Sequence, residues 1–413
     1  MKRQYVALLL ALSVVGVSAG AQIYVDDDAP NDPSSHTSKT SDPNEDGSEE
    51  HPFDDIQEAI DAAVDGDTIV VAPGRYLSPD KWEYDEITFN GKNIRLVSSA
   101  PTDFTVIDQT VLCGVVIFDG TESSDCLLQG FKIQNYAHGG ILGNGTQARI
   151  SHCIISGNGP CGATVVMNVQ GCISNCLIVD NTTFHDCGLL PVVSGCAEFV
   201  NCTIANNLTG IDMVEDNPIV RNCIIYANQS LQRVPSSISR GGQYQISTVQ
   251  YNLIEDMNAG FRGVIDADPC FARPGSWIER SVSTRTGTGT DDPTKRMALV
   301  EGDYHLKSEG WRWNPQPIHG SHWYFDAVTS PAIDAGDPMD SLGEEFERAP
   351  DDAEGIWGVN HAIDLGAYGG TTQASLAPTD GETPGIGAVY LQDYWPFGQV
   401  ARGGGGSYHW YLQ

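Results

Sequence analysis

Asp212, Glu215 and Asp216 place three carboxylates within one short stretch. That is enough oxygen to hold a divalent cation, or to supply an acid and a base to one reaction. The competing reading is an acidic turn in a very acidic chain. Asp42, Asn44 and Asp46 alternate with Pro43 and Glu45 ahead of Gly47, the ligand spacing of the first half of a calcium loop. The glutamate that should close such a loop is missing, because Phe53 takes its place, so a solvated acidic turn competes here too. Trp311, Arg312 and Trp313, followed by Trp323 and Tyr324, offer aromatic faces for stacking on a ligand ring and a guanidinium for an acidic group. Against that stands simple packing of the segment onto the rest of the protein. His319 and His322 share an HxxH spacing, but no carboxylate or cysteine lies beside them in sequence, which argues against zinc.

These groups need elements to position them, and the stretch from Gly130 to Asn228 supplies the pattern. His152-Cys153-Ile154-Ile155, Asn175-Cys176-Leu177-Ile178, Asn201-Cys202-Thr203-Ile204 and Asn222-Cys223-Ile224-Ile225 repeat one phrase. Counting from Ile133, its isoleucines stand 22, 23, 26 and 21 residues apart, and a period in the low twenties means stacked rungs. Cysteine and isoleucine two apart share one face of a short strand, and that face points inward. Ile150, Ile173, Phe199 and Val220 precede each cysteine by three. That odd step breaks the period of two unless the chain bends, so Asn175, Asn201 and Asn222, with His152 in the first slot, are expected at a sharp corner in left-handed conformation. Asn158, Asn181, Asn207 and Asn228 mark the next corner. The prediction is three short strands per rung, paired in parallel with the rungs above and below.

This pattern resembles the right-handed parallel β-helix of the pectin lyase-like superfamily, over roughly residues 68 to 265. The resemblance implies an all-β solenoid and places the usual cleft along the strand after the Asn158-type corner. Counting twelve back from each cysteine puts Ile141, Thr164, Leu190 and Ile211 in register there, with Leu142, Val165, Pro191 and Asp212 beside them. Asp212 is the clear carboxylate of that face. Asp119 sits four rungs earlier, too far for a glycosidase pair, which needs its carboxyls within about 6.5–9.5 Å. A lyase of this type would need an arginine or lysine base and a cation, yet Lys132, Arg149 and Arg221 align with the other two strands of the rung. Asp212 and Asp216 are therefore the catalytic candidates if the chain is an enzyme. The segments Ser330-Pro331-Ala332-Ile333-Asp334-Ala335-Gly336-Asp337 and Asp364-Leu365-Gly366-Ala367-Tyr368-Gly369-Gly370 resemble the closing signature of surface-associated β-helix proteins of planctomycete-like bacteria.

Composition bounds the rest. Forty-five glycines and only 18% charged residues suit turn-rich β structure. Residues 1–21 read as a secretory signal, with Lys2 and Arg3, an apolar run from Val6 to Val17 and Ala19-Gly20-Ala21 for cleavage; no later stretch is long enough to span a bilayer. Acidic residues outnumber basic ones 54 to 22, a formal charge of −32, which excludes nucleic acid as a partner and repels acidic glycans unless cations bridge them. Eleven cysteines in an exported chain raise disulfides, but Cys153, Cys176, Cys202 and Cys223 stack inside the solenoid as small hydrophobes, leaving Cys161, Cys172, Cys187 and Cys196 as the better bridge candidates.

The expected organisation follows. An acidic N-terminal segment spans 22–66 and includes a capping helix from Asp54 to Val64, opened by an Asp54/Gln57 capping box. The β-helix runs over 67–270. An irregular C-terminal module that closes the solenoid runs over 271–376, with a long excursion from Arg273 to Arg296, and a flexible tail covers 377–413. The expected protein is a monomer, secreted or held at the cell surface, that contacts polysaccharide or a cell-surface component without catalysis. Ligand contact is expected at Trp311, Arg312, Trp313 and Trp323, and Ca2+ at Asp42, Asn44 and Asp46; no other cofactor is expected. The alternatives are a polysaccharide lyase or glycoside hydrolase acting on an acidic glycan, and a structural spacer.

Overall fold

The structure is a computed structural model. It describes residues 20–30, 42–76, 86–100, 105–108, 116–134, 140–158, 165–181, 193–194, 198–208, 210–212, 218–228, 238–239, 249–255, 261–279, 297–318, 321–347 and 358–378. Three long parallel sheets wrap one core: a nine-stranded spine, an eight-stranded flank and a seven-stranded platform. A typical rung passes from Ile141–Thr146 in the platform to Arg149–Ser151 in the spine and Ile154–Ser156 in the flank. Ile133, Ile155, Ile178, Ile204 and Ile225 pair in one unbroken column, each 0% exposed. The repeat is thus a stack of rungs, each burying the apolar face that a lone rung would leave open.

Both corners follow from side-chain chemistry. His152, Asn175, Asn201 and Asn222 all have φ between 51° and 55°, the left-handed conformation that asparagine tolerates. The turn lets Cys153, Cys176, Cys202 and Cys223 point inward, all buried and unpaired. Cys153 N–H donates to Cys176 Sγ at 3.4 Å, and Cys202 N–H to Cys223 Sγ at 3.4 Å. Burial holds the Cys176 and Cys223 thiols well above their ordinary pKa. Cys172, a bridge candidate, is unpaired and partly exposed; Cys161, Cys187 and Cys196 lie outside the described residues. Among the described cysteines, alkylation of the native protein should therefore label Cys270 first and Cys172 more slowly, since burial pushes the Cys172 thiol up to about 12. The four column thiols should stay untouched until denaturant is added, as peptide mass mapping would show.

At the second corner the left-handed position falls to the preceding residue, Gly157, Asp180, Asn206 or Ala227. The asparagines themselves form a buried amide ladder. Asn181 Oδ1 accepts from Asn158 N–H and Nδ2 at 3.0 and 3.1 Å, Asn207 Oδ1 from Asn181 at 3.0 and 2.9 Å, and Asn228 Oδ1 from Asn207 at 3.1 and 2.9 Å. Each Nδ2 of Asn158, Asn181, Asn207 and Asn228 also donates to a strand carbonyl of the rung before.

The N-terminal end departs from expectation in two ways. Gln22–Val25 is itself the edge strand of the spine, paired with Thr68–Val71, so the solenoid begins before its capping helix. That helix is Ile56–Ala62, and its N-cap is Asp55, whose Oδ1 accepts from Gln57 N–H at 2.6 Å. There is no Asp54/Gln57 box, because Gln57 reaches across to the platform edge. Its Oε1 accepts from Thr88 N–H at 2.8 Å and its Nε2 donates to Thr88 O at 3.2 Å. One side chain thus satisfies the backbone of an edge strand that would otherwise face water or another chain.

Past Leu253–Ile254 the chain leaves the coil, and Phe261 and Val264 pack on the exposed end of the core. The C-terminal module lies along the outside of the flank. Leu177, Val179, Ala205, Ile224 and Leu253 on that outer surface form a second core with Phe271, Tyr304, Leu306, Ile333 and Leu365. The expected excursion opens and closes as an antiparallel hairpin, Ser276–Glu279 with Met297–Val300; 280–296 lie outside the described residues. The two signature segments clamp the first corner: Asn175 Nδ2 donates to Gly369 O at 2.7 Å, Asn201 Nδ2 to Gly369 O at 2.8 Å, and Asn222 Oδ1 accepts from Asp337 N–H at 2.8 Å. Arg221 pairs with Asp340 beside them. Among the described residues no helix is long and apolar enough to cross a membrane. The stretch expected to be a secretory signal lies outside the described residues except for Gly20 and Ala21, and the expected tail except for Ala377 and Pro378.

Candidate functional site

The platform strand of each rung follows the amide ladder, and its outer surface is the expected cleft. Seven strands span about 29 Å at ~4.8 Å per step. The register differs from the one counted in sequence. Ile141 pairs with Val166, Val166 with Val193 and Val193 with Ile211, so Thr164 and Leu190 are not the partners and Val165 and Pro191 do not flank them. Counting back from each cysteine failed because the stretch from platform to cysteine varies: 12 residues from Ile141 to Cys153 and from Ile211 to Cys223, but 10 from Val166 to Cys176 and 9 from Val193 to Cys202. Asp212 stands in the column of Leu142, Met167 and Ser194. Its side chain, and all of Glu215 and Asp216, lie outside the described residues.

The described side chains of that column are Thr88, Ile117, Leu142 and Met167 in adjacent strands. Met167 is 40% exposed, and Ile117 and Leu142 are partly exposed. Asn144 and Asn168 stand at the margin on left-handed backbone, Asn144 held by a 2.8 Å bond from its Nδ2 to Phe118 O. The surface is therefore an aliphatic strip edged with amides. Asp119 stands just beyond Ile117, four strand steps from Asp212 and so about 19 Å away; a glycosidase pair needs about 6.5–9.5 Å.

The basic candidates lie on the other two sheets. Arg149 and Arg221 are in the spine, three steps apart, and Lys132 is in the flank. Lys132 is buried and paired with Glu301 at 2.6 Å. Three of the four residues expected to meet a ligand are turned into the module. Trp311 and Trp323 are 4% and 7% exposed and form a small core with Leu376. Arg312, at 9%, bonds Asp326 at 3.0 Å and Asp303 at 3.3 Å. Trp313 remains partly exposed and stacks on His322 at 4.3 Å.

Asp42 is buried and bound from within. Its Oδ1 accepts Asn44 N–H at 2.9 Å and its Oδ2 meets His51 Nδ1 at 2.5 Å. These bonds hold the carboxyl below its ordinary pKa, and Asp42 in turn raises that of His51. Asp46 accepts from Ser48 N–H at 3.0 Å. The loop thus closes on itself through His51, and a cation at Asp42 would have to displace that imidazole. Among the described residues the carboxylates that do converge are Asp26, Asp27 and Asp28, within 4.8 Å of one another, with Asp26 pushed up to about 6 chiefly by burial.

Sequence reasoning missed a cleft of about 290 Å³ between the flank and the module, lined by Asn206, Tyr226, Asp268, Cys270, Tyr304 and Lys307 among others. Phe271 meets Tyr304 edge to face at 5.0 Å on its buried side. The Tyr304 hydroxyl donates to buried Asp180 at 2.6 Å, and Asn206 Nδ2 donates to the same oxygen at 2.6 Å, which fixes both walls. Asp268 Oδ1 accepts Cys270 N–H at 2.8 Å, and Lys307 N–H donates to Cys270 O at 3.0 Å. The groups come from five stretches of chain, so no local motif announced them.

Residues 107–263 match the family model described as "Right handed beta helix region". That agrees with three parallel sheets wrapped around one axis. A solved structure titled "Crystal structure of pectate lyase Pel9A" aligns with 85% of this chain and 97% of its own, at 13% identity and a TM-score of 0.27, a likeness too loose to bear on activity. No curated protein matches the sequence.

Proposed function

We propose that this chain, a right-handed parallel β-helix, is a secreted or cell-surface protein that holds polysaccharide on its platform sheet without cleaving it. The observation that carries the reading is the strip of partly exposed Ile117 and Leu142 and exposed Met167, with Asn144 and Asn168 at its margin. Aliphatic side chains suit the C–H faces of sugar rings, amides suit their hydroxyls, and parallel strands repeat both at fixed spacing. The secretory pattern of residues 1–21 supports the location. The alternatives are a lyase or hydrolase built around Asp212 and Asp216, and a spacer that binds nothing.

A panel of neutral and acidic polysaccharides separates the three. Binding without new reducing ends or unsaturated uronate ends is the expected result, and Met167→Asp should weaken it about tenfold, or ~1.4 kcal/mol. Product formation would establish an enzyme, and Asp212→Ala would then show whether that residue carries it. Failure to bind any member would leave the spacer.

A further inference from the structure

We infer that the cleft between the flank and the C-terminal module is a binding site for a single neutral pyranose ring, separate from the platform sheet and independent of its occupancy. Its size sets the first limit. At about 290 Å³ it lies at the small end of ligand pockets, which begin near ~300 Å³, so it admits one ring and not an oligomer. Its lining sets the second. Tyr226 presents ring surface, while Tyr304, 2% exposed with its hydroxyl engaged by Asp180, closes the apolar floor. Such walls favour a ligand with a flat C–H face.

The polar groups of the lining are the carboxylate of Asp268, which accepts from Cys270 N–H, and the ammonium of Lys307. One accepts and the other donates, which matches adjacent hydroxyls of a sugar. Charge decides between sugars. Asp268, Glu255 and Asp266 all act on Tyr226 at the mouth, against the single positive charge of Lys307, so a uronate would meet net repulsion. A zwitterionic amino acid could also use one carboxylate and one ammonium, but it lacks the paired hydroxyls and the flat C–H face that suit the Tyr226 ring.

Cys270 supplies a direct readout, since its partly exposed thiol lines the cleft. The full-length protein would be alkylated at pH 8.5 in the presence of glucose, galactose, mannose, N-acetylglucosamine, galacturonate or tyrosine, with Cys270 labelling followed by mass mapping and affinity by calorimetry. The expected result is protection of Cys270 by at least one neutral pyranose with a Kd on the order of millimolar. Tyr226→Ala and Asp268→Asn should each weaken that binding about tenfold, whereas Met167→Asp should leave it unchanged. Asp268 is exposed, so Asp268→Asn keeps the test alive if Tyr226→Ala fails to fold. No protection by any neutral pyranose would overturn the inference, as would tighter binding of galacturonate or tyrosine. Loss of polymer binding in Met167→Asp with the cleft intact would show the two sites to be separate, and a protein that binds polymer but no monosaccharide would sink the cleft alone.

Discussion

Asn207→Ala should cost this protein about 4 kcal/mol of stability, read as a fall in the denaturant midpoint. The side chain is 2% exposed and serves four partners at once. It accepts from Asn181 N–H and Nδ2, and it donates to Ile178 O at 2.7 Å and Asn228 Oδ1 at 2.9 Å. Truncation removes those bonds while their partners stay buried, and each orphaned group carries a desolvation penalty of about 1–3 kcal/mol. The costs do not add fully, because the corner relaxes and admits water. Asn207→Leu keeps the volume but not the bonds, and should fare no better. A loss under about 1 kcal/mol for either variant would mean that the ladder accompanies the corner without holding it.

The second large effect concerns pH. Glu345 is 6% exposed, with Oε1 accepting from Gly370 N–H at 2.7 Å and Asp364 N–H at 2.9 Å, and Oε2 accepting from Asn360 Nδ2 at 3.1 Å. Burial pushes its carboxyl from 4.5 up to about 7 against the pull of those bonds, and Asp334 adds to the rise. Asp364, 1% exposed and next to Glu345, is raised well above its ordinary value by the same burial and by Glu345 itself. A carboxyl whose pKa rises on folding gives stability that is complete below its unfolded value and lost as pH climbs through its folded one. Between pH 4 and pH 8 the contribution of Glu345 should therefore fall by about 3 kcal/mol. These residues join the two segments that clamp Asn175, Asn201 and Asn222, so the module should loosen first as pH rises from about 4.5 through 7. The measurement is the stability difference between the parent and Glu345→Gln across that range, with limited proteolysis of the module alongside. A difference that stays constant with pH would remove Glu345 from the account.

The solenoid was legible because its rules are local. Cys176 and Ile178 share a face by strand geometry alone, and Asn175 announces a left-handed bend from its own conformational tolerance. The capping helix was legible as an apolar stripe, but its first turn was not. Asp54 and Asp55 are both fit to cap, and the choice fell to Asp55 once Gln57 was drawn away to Thr88. The aromatic cluster misled for a related reason. Trp311 and Trp323 read equally well as ligand platform or as core, and only the partners Leu376, Asp303 and Asp326 decide which.

What the sequence determined by itself is the rung: its period, its inward column of cysteine and isoleucine and its two asparagine corners. Each of these depends on residues close together in the chain. What only the tertiary structure decided is everything that joins distant segments. The true platform register shifted because the turn joining platform to spine differs in length from rung to rung. The module settled against the flank because Leu177, Val179 and Leu253 left an apolar surface there to cover. The cleft exists only because Tyr226, Asp268 and Lys307 arrive from different parts of the chain, and no spacing in a sequence records a meeting produced by burial.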